Sequence, residues 1–171
     1  MSIVLHQLTY QTALLSALRK ATKNIYISIY VIKSNMNRSG DPVTNLFNIL
    51  VHKLKQGLEI KILLDYPKKN RPNFHTNRFF MRRFYDAKIP FCLNMGFSTC
   101  HGKVISIDQS NLFLGSHNLA RRSFSNPLEF SIQTSDKNVI SDFDLLFLNF
   151  WNDPSYKRFP PTILDIERIY P

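Results

Sequence analysis

Acidic residues are scarce in this chain. Twelve Asp and Glu stand against twenty-two Lys and Arg, a formal net charge of +10. Such an excess points toward polyanions, either nucleic acid or an anionic membrane surface. The plainer reading is a basic surface with no such partner. Cysteine is nearly absent. Cys92 and Cys100 make no disulfide framework, and no second pair completes a zinc site. Both read as reduced, small and largely buried. No apolar run approaches membrane-spanning length. The opening MSIVLHQLTYQTALLSALRK lacks a basic region before its apolar part. It reads as an amphipathic helix rather than a signal peptide, so a cytoplasmic location is expected. No internal repeat is visible either.

What remains is ordinary globular material, 44% apolar and 20% charged over 171 residues. That is enough for one domain with a core. Ala13, Leu14, Leu15, Ala17, Leu18 and Ala21 recur at helical spacing and predict a first helix over about 8–22. IYISIYVI, from Ile25 to Ile32, is β-branched and aromatic, as a buried central strand is. Asp41 or Thr44 can cap a second helix, and Glu59–Tyr66 reads as the next strand. This strand–helix–strand order implies parallel neighbours and a right-handed crossover. A helix follows, then strands at 89–94, 102–108, 111–116 and 128–134, with a hairpin at Gln109 and Ser110. A last helix over 136–151 carries Val139, Ile140, Phe143, Leu146, Phe147 and Phe150 as its expected core face. The expected fold is α/β: a mixed, largely parallel sheet flanked by helices on both faces. One domain spans 1–152, and a Pro-containing tail over 153–171 packs on it.

The chemistry concentrates in HGKVISIDQSNLFLGSHN. His101, Lys103 and Asp108 stand in the spacing HxKxxxxD; Gly115, Ser116 and Asn118 follow as GSxN, and Glu129 comes eleven residues after Asn118. On a strand, His101 and Lys103 share one face and can address one phosphate. Imidazole can attack phosphorus or carry a proton near neutral pH. The Lys103 ammonium can offset charge in the transition state. The Asn118 amide can donate to the same phosphate, and Ser116 can orient these groups. Glu129 is suited to accept a proton from the second ring nitrogen of His101. Asp108 points to the opposite face, so its expected role is structural. A lone strand histidine is usually a plain core residue; a set at fixed spacings is harder to dismiss.

These residues resemble the phospholipase D superfamily, whose HxKxxxxD signature His101, Lys103 and Asp108 match. Gly115, Ser116, Asn118 and Glu129 match the elements that follow it. QGLEIKILLD and FLNFWND extend the likeness over roughly residues 10–152. A short chain with one motif resembles the bacterial endonuclease branch. The resemblance implies a phospholipase D-like half-domain whose two copies join at a twofold axis. One histidine attacks phosphorus to form a phosphohistidine, the other protonates the leaving oxygen, and water cleaves the intermediate. It implies neither metal nor other cofactor. His101 is then nucleophile or acid, Lys103 and Asn118 bind phosphate, and Glu129 supports His101. The single copy argues for a homodimer on its own account. A two-step transfer needs a nucleophile and an acid, and one chain offers one suitable histidine. The expected contact is apolar, near Ser116–Phe124 and the strand edges.

Lys68, Lys69, Arg71, Arg78, Arg82 and Arg83 follow one another with no acidic residue between them. Phe74, His75, Phe79 and Phe80 are interleaved, although helical spacing also suits Phe79, Phe80 and Phe84 to a core. Lys68, Lys69, Arg71 and Arg78, with Arg121 and Arg122 beyond the GSxN turn, are candidate contacts to backbone phosphates. His117, the variable position of GSxN, is a candidate substrate contact, with a plain loop role as the alternative. Lys33–Arg38 is another candidate wall. The first functional reading is a metal-independent, largely sequence-nonspecific endonuclease acting on DNA, with RNA as a further candidate substrate. The second is a phospholipase acting on an anionic lipid such as cardiolipin, disfavoured by the lack of an interfacial helix. The third is a non-catalytic nucleic-acid-binding module.

Overall fold

Every residue of Asn24–Ile29 is buried, because layers cover both faces of that strand. A computed structural model describes residues 1–34, 38–65, 73–94 and 99–159. Its elements in chain order are β1 (Ser2–His6), α1 (Gln7–Lys20), β2 (Asn24–Ile29), β3 (Ile32–Lys33), α2 (Pro42–Lys55), β4 (Glu59–Asp65), α3 (Phe74–Asp86), β5 (Phe91–Asn94), β6 (Lys103–Ile107), β7 (Asn111–Gly115), β8 (Leu119–Ala120), α4 (Arg121–Ser125), β9 (Phe130–Thr134), α5 (Lys137–Asn152) and β10 (Tyr156–Phe159). The main sheet has the order β1-β9-β7-β6-β2-β4-β5-β10, and β3 pairs with β8 separately. Strands β2, β4 and β5 are parallel neighbours, as the strand–helix–strand order predicts. Strands β6, β9 and β10 run the other way. The fold is α/β as expected, a mixed sheet with helices on both faces; among the described pairings of that sheet β2–β4 and β4–β5 are parallel and the other five antiparallel. No described helix is long and apolar enough to cross a membrane.

Alternation along the strands separates two cores. Ile25, Ile27 and Ile29 of β2 face the larger one, with Ile60, Ile62 and Leu64 of β4 beside them and α1, α2 and α3 above. Each such fully buried side chain contributes roughly 1.5–3 kcal/mol relative to exposure. Tyr26 and Leu63 face the other way, onto Phe147 and Trp151 of α5. Asp41 caps α2 by accepting from the backbone N–H groups of Val43 and Thr44.

Three expectations need correction. Ser2–His6 is not helical; it pairs antiparallel with β9 and extends the sheet. The final helix does not bury its whole apolar face. Ile140 and Phe147 are buried, but Leu146 is 55% and Phe150 41% exposed, and Val139 is exposed too. Among the described residues, α5 is the helix on its side of the sheet, and the stripe against the strands is what it buries. The segment after it, expected only as a tail packed on the domain, includes a strand, Tyr156–Phe159, that pairs with β5. Residues 160–171 of the expected tail lie outside the described residues.

Asp108 closes the β6–β7 hairpin at φ +56, in the left-handed region that Asp tolerates better than most residues. Its Oδ2 accepts from the Thr22 N–H at 2.8 Å and the Thr22 hydroxyl at 3.2 Å. Its Oδ1 accepts from the N–H groups of Lys23 at 2.8 Å and Asn24 at 3.1 Å. The carboxylate thus fastens the start of β2 to the hairpin, well away from any reacting group. Partial burial pushes its pKa up, but the hydrogen bonds from Lys23, Thr22 and Asn24 outweigh that and hold it below the usual aspartate value. The unfolded state therefore binds this proton first as pH falls. Asp108 stabilises the fold above about pH 4, and that contribution is lost as pH drops through the lower folded value. Asp108→Ala should cost about 2 kcal/mol at neutral pH, as lost caps do, and progressively less below pH 4. Urea unfolding at several pH values measures it; an undiminished cost at pH 2.5 would contradict this role.

Candidate active site

His101 lies just before β6, exposed at the end of the sheet where β2 also finishes. The expected position is on the strand itself, whereas the pairing begins two residues later, at Lys103. The two side chains meet all the same. The Lys103 ammonium donates to the His101 carbonyl at 2.8 Å and lies 3.3 Å from both ring nitrogens. The His101 ring rests against Tyr30, with centroids 4.7 Å apart. Lys103 Nζ is 5.4 Å from the centre of the same ring. Partial burial pulls the Lys103 ammonium below the usual lysine pKa, against the opposing pull of Glu129 and Cys100.

Two glycines make the site possible by close approach. A Cβ on Gly102 would come within 2.5 Å of Ser28 Oγ, and one on Gly115 within 2.4 Å of the Phe130 carbonyl oxygen. Gly115 therefore lets β7 and β9 converge at the GSxN turn. Ser116 secures that convergence: its N–H donates to the Phe130 carbonyl at 3.0 Å, and its hydroxyl accepts from the Phe130 N–H at 3.1 Å. It orients the strand junction rather than the reacting groups.

Asn118 is held from two sides. Its Oδ1 accepts from the Val31 N–H at 3.2 Å, which fixes the amide orientation and leaves Nδ2 as a donor. Its backbone N–H donates to Ser123 Oγ at 2.9 Å, and the Ser123 hydroxyl donates to Glu129. The expected Glu129–His101 hydrogen bond is absent among the described residues. Glu129 anchors Asn118 through buried Ser123 and draws on Lys103 through space. Ser123 and Tyr30 are the residues that motif reasoning missed. A serine in ARRSFSN and a tyrosine ending an apolar run carry no distinguishing pattern.

His117 is not a substrate contact. It is 1% exposed and stacks on Tyr10 with ring centroids 4.1 Å apart. Its Nδ1 lies 2.8 Å from Ser131 Oγ. Burial lowers its pKa, with His6 adding to the shift and Glu129 opposing it. The side chain is a core anchor for the turn that presents Asn118. Arg121 and Arg122 are exposed at the start of α4, three and four residues past Asn118. The pairing of β3 with β8 sets exposed Lys33 beside Ala120, next to them. Arg78 is exposed on α3, whereas Phe80 and Phe84 are core and Phe79 is partly exposed. Arg82 pairs with Asp86 at 3.1 Å, and Arg83 packs 4.5 Å from the Phe47 ring centre. Lys68, Lys69 and Arg71 lie outside the described residues.

An imidazole, an ammonium and a carboxamide donor thus gather at one end of the sheet, on a scaffold of glycine close approaches. Residues 14–151 match the family model described as cardiolipin synthase, PLD-like domain. The chain belongs to that phospholipase D-like family. It is 24% identical over 152 residues to Phospholipase D Z of Dictyostelium discoideum, covering 85% of this chain but 36% of that one. The chain thus spans about a third of the length of that curated relative. Two solved structures share the fold. Nuc of Salmonella typhimurium, a phospholipase D family member, superposes with a TM-score of 0.73 at 18% identity over 94% of this chain and 100% of its own. NucT from Helicobacter pylori gives 0.69 at 20% identity, over 93% and 99% respectively.

Proposed function

We propose that the protein hydrolyses nucleic-acid phosphodiester bonds without a metal ion, at a site completed by a second copy of the chain. The contact of exposed His101 with Lys103, with the Asn118 amide fixed by Val31 at the same end of the sheet, supports this most directly. One ring nitrogen of His101 attacks phosphorus, and the bond to the leaving oxygen breaks. The second copy's imidazole gives that oxygen its proton. Water then attacks the phosphohistidine, loses its proton to the same second imidazole, and frees the first. Lys103 and Asn118 hold the non-bridging oxygens, where negative charge grows.

The surface beside His101 suits such an assembly. Val104, Leu114, Ile132 and Val4 stand in register across β6, β7, β9 and β1, on the side of the sheet that carries α5. Ile132 is 39% and Val4 70% exposed. Leu146 and Phe150 of α5 flank a cavity of about 520 Å³ whose wall also includes Val104 and His101. An open apolar face of this kind, continuous with an incomplete site, is where an isologous contact belongs. It lies apart from the contact expected around Ser116–Phe124, a segment in which Ser123 and Phe124 are buried within the chain while Ser116, Arg121 and Arg122 are exposed.

Exposed Lys33, Arg78, Arg121 and Arg122 favour a polyanionic strand as substrate. The apolar cavity at His101 favours a second reading, an anionic phospholipid such as cardiolipin. One assay separates them. In excess chelator, single-stranded DNA, duplex DNA, RNA and cardiolipin vesicles are supplied side by side. The expected result is cleavage of nucleic acid undiminished by chelator. Faster turnover of cardiolipin would favour the lipid reading, and magnesium-reversible inhibition would end the metal-free one.

A further inference from the structure

Asp65, Asn73 and Asn77 are buried polar side chains that belong to no part of the motif. Asp65 ends β4; Asn73 and Asn77 lie one turn apart at the start of α3. All three bond to backbone around His101. Asp65 Oδ1 accepts from the Cys100 N–H at 2.8 Å, in the residue directly before His101. Asp65 Oδ2 accepts from Asn73 Nδ2 at 2.9 Å. Asn77 Nδ2 donates to the Tyr30 carbonyl at 2.8 Å and to the Asp65 carbonyl at 3.2 Å. Asn77 Oδ1 accepts from the Ile32 N–H at 3.0 Å. One network therefore holds the chain behind the His101 ring and also the chain carrying Tyr30, against which that ring rests.

Burying a carboxylate is costly, and an apolar side chain of similar size would fill the space more cheaply. What an apolar residue cannot do is fix a peptide N–H. We propose that Asp65, with Asn77 as its second arm, is a positioning residue for His101. Asp65 sets the Cys100–His101 backbone, Asn77 sets Tyr30, and the imidazole is aimed by the two together. The activity part of this inference rests on the phosphodiesterase reading; the geometric part does not.

Three variants test it: Asp65→Leu, Asp65→Asn and Asn77→Ala, with the core substitution Leu18→Ala as a control for plain destabilisation. The His101 ring-proton resonances report ring position directly, because they lie in the field of the Tyr30 ring. Asp65→Leu and Asn77→Ala should shift them and lower kcat by at least about tenfold, as small misplacements of a reacting group do, with KM for duplex DNA changing less. Asp65→Asn keeps an acceptor for the Cys100 N–H. Its new amide faces Asn73, whose Oδ1 is buried without a partner and can turn to accept. It should therefore rescue most of the loss, and Leu18→Ala should leave the His101 resonances in place. If Asp65→Leu does not fold, Asn77→Ala and Asp65→Asn carry the test. Unshifted resonances in Asn77→Ala, or a kcat loss matching Leu18→Ala at equal folded fraction, would overturn the proposal. A wild type that cleaves no phosphodiester but whose Asp65 and Asn77 variants still shift His101 would count against the activity alone.

Discussion

His101→Ala is expected to lower cleavage by roughly 10⁴-fold or more, the scale on which removing a covalent nucleophile acts. The fold should hardly notice. His101 is exposed, precedes the strand pairing and touches Tyr30 and Lys103 rather than the core. Substitutions at such sites usually change stability by no more than about 0.5 kcal/mol. Binding should also persist, because the phosphate contacts assigned to Lys103, Asn118 and the exposed arginines remain. Activity lost with unchanged melting temperature and unchanged anisotropy titration of labelled DNA is the signature. Residual cleavage above a hundredth of wild type would mean that His101 is neither nucleophile nor acid. Lys103→Ala differs in kind. It removes a charge needed more in the transition state than in the ground state, so kcat should fall further than binding weakens.

The strongest part of the sequence was legible because its chemistry and its periodicity agree. β2 is buried throughout because both of its faces are covered, and the motif sits around the next strand in the sheet, β6. Strand alternation puts Asp108 on the face opposite His101, but in the fold the two flank β6 at its opposite ends, and the length of the strand separates them. Other features were illegible for physical reasons. Ser2–His6 is an edge strand five residues long that runs directly into α1, and a short apolar run without alternation before a helix looks like more helix. The fate of Glu129 depends on a buried serine in a five-residue helix, and no spacing rule announces that relay. His117 resembles a site residue by position and becomes a core residue by stacking on Tyr10 of α1, more than a hundred positions away. Asp65 lies within the apolar strand expected over Glu59–Tyr66, where nothing in the sequence marks it out. Its partner across the sheet end, the peptide of Cys100, appears only when the chain folds back.

Mixing the wild type with His101→Ala distinguishes a shared site from one complete within each chain. If the site needs one imidazole to attack and another to protonate, a mixed pair can do only one of the two. After full exchange of subunits, activity should follow the square of the wild-type fraction. An equal mixture should then retain about a quarter of the wild-type rate rather than about half. A linear dependence would show that one chain suffices. The apolar face supplies the complementary experiment. Ile132 stands exposed between Leu114 and Val4, away from His101, Lys103 and Asn118 in the chain and on a different strand from each. Ile132→Glu places a charge in the middle of that row at little cost to the isolated fold, whereas in a closed contact the charge would be desolvated. The expected outcome is a folded monomer by sedimentation, inactive although all its catalytic side chains are intact. Raising the protein concentration should restore part of the activity in step with the dimer fraction. A monomer that cleaves at the wild-type rate would return the whole reaction to a single chain, and would leave the open face around Val104 and Leu146 without the role given to it here.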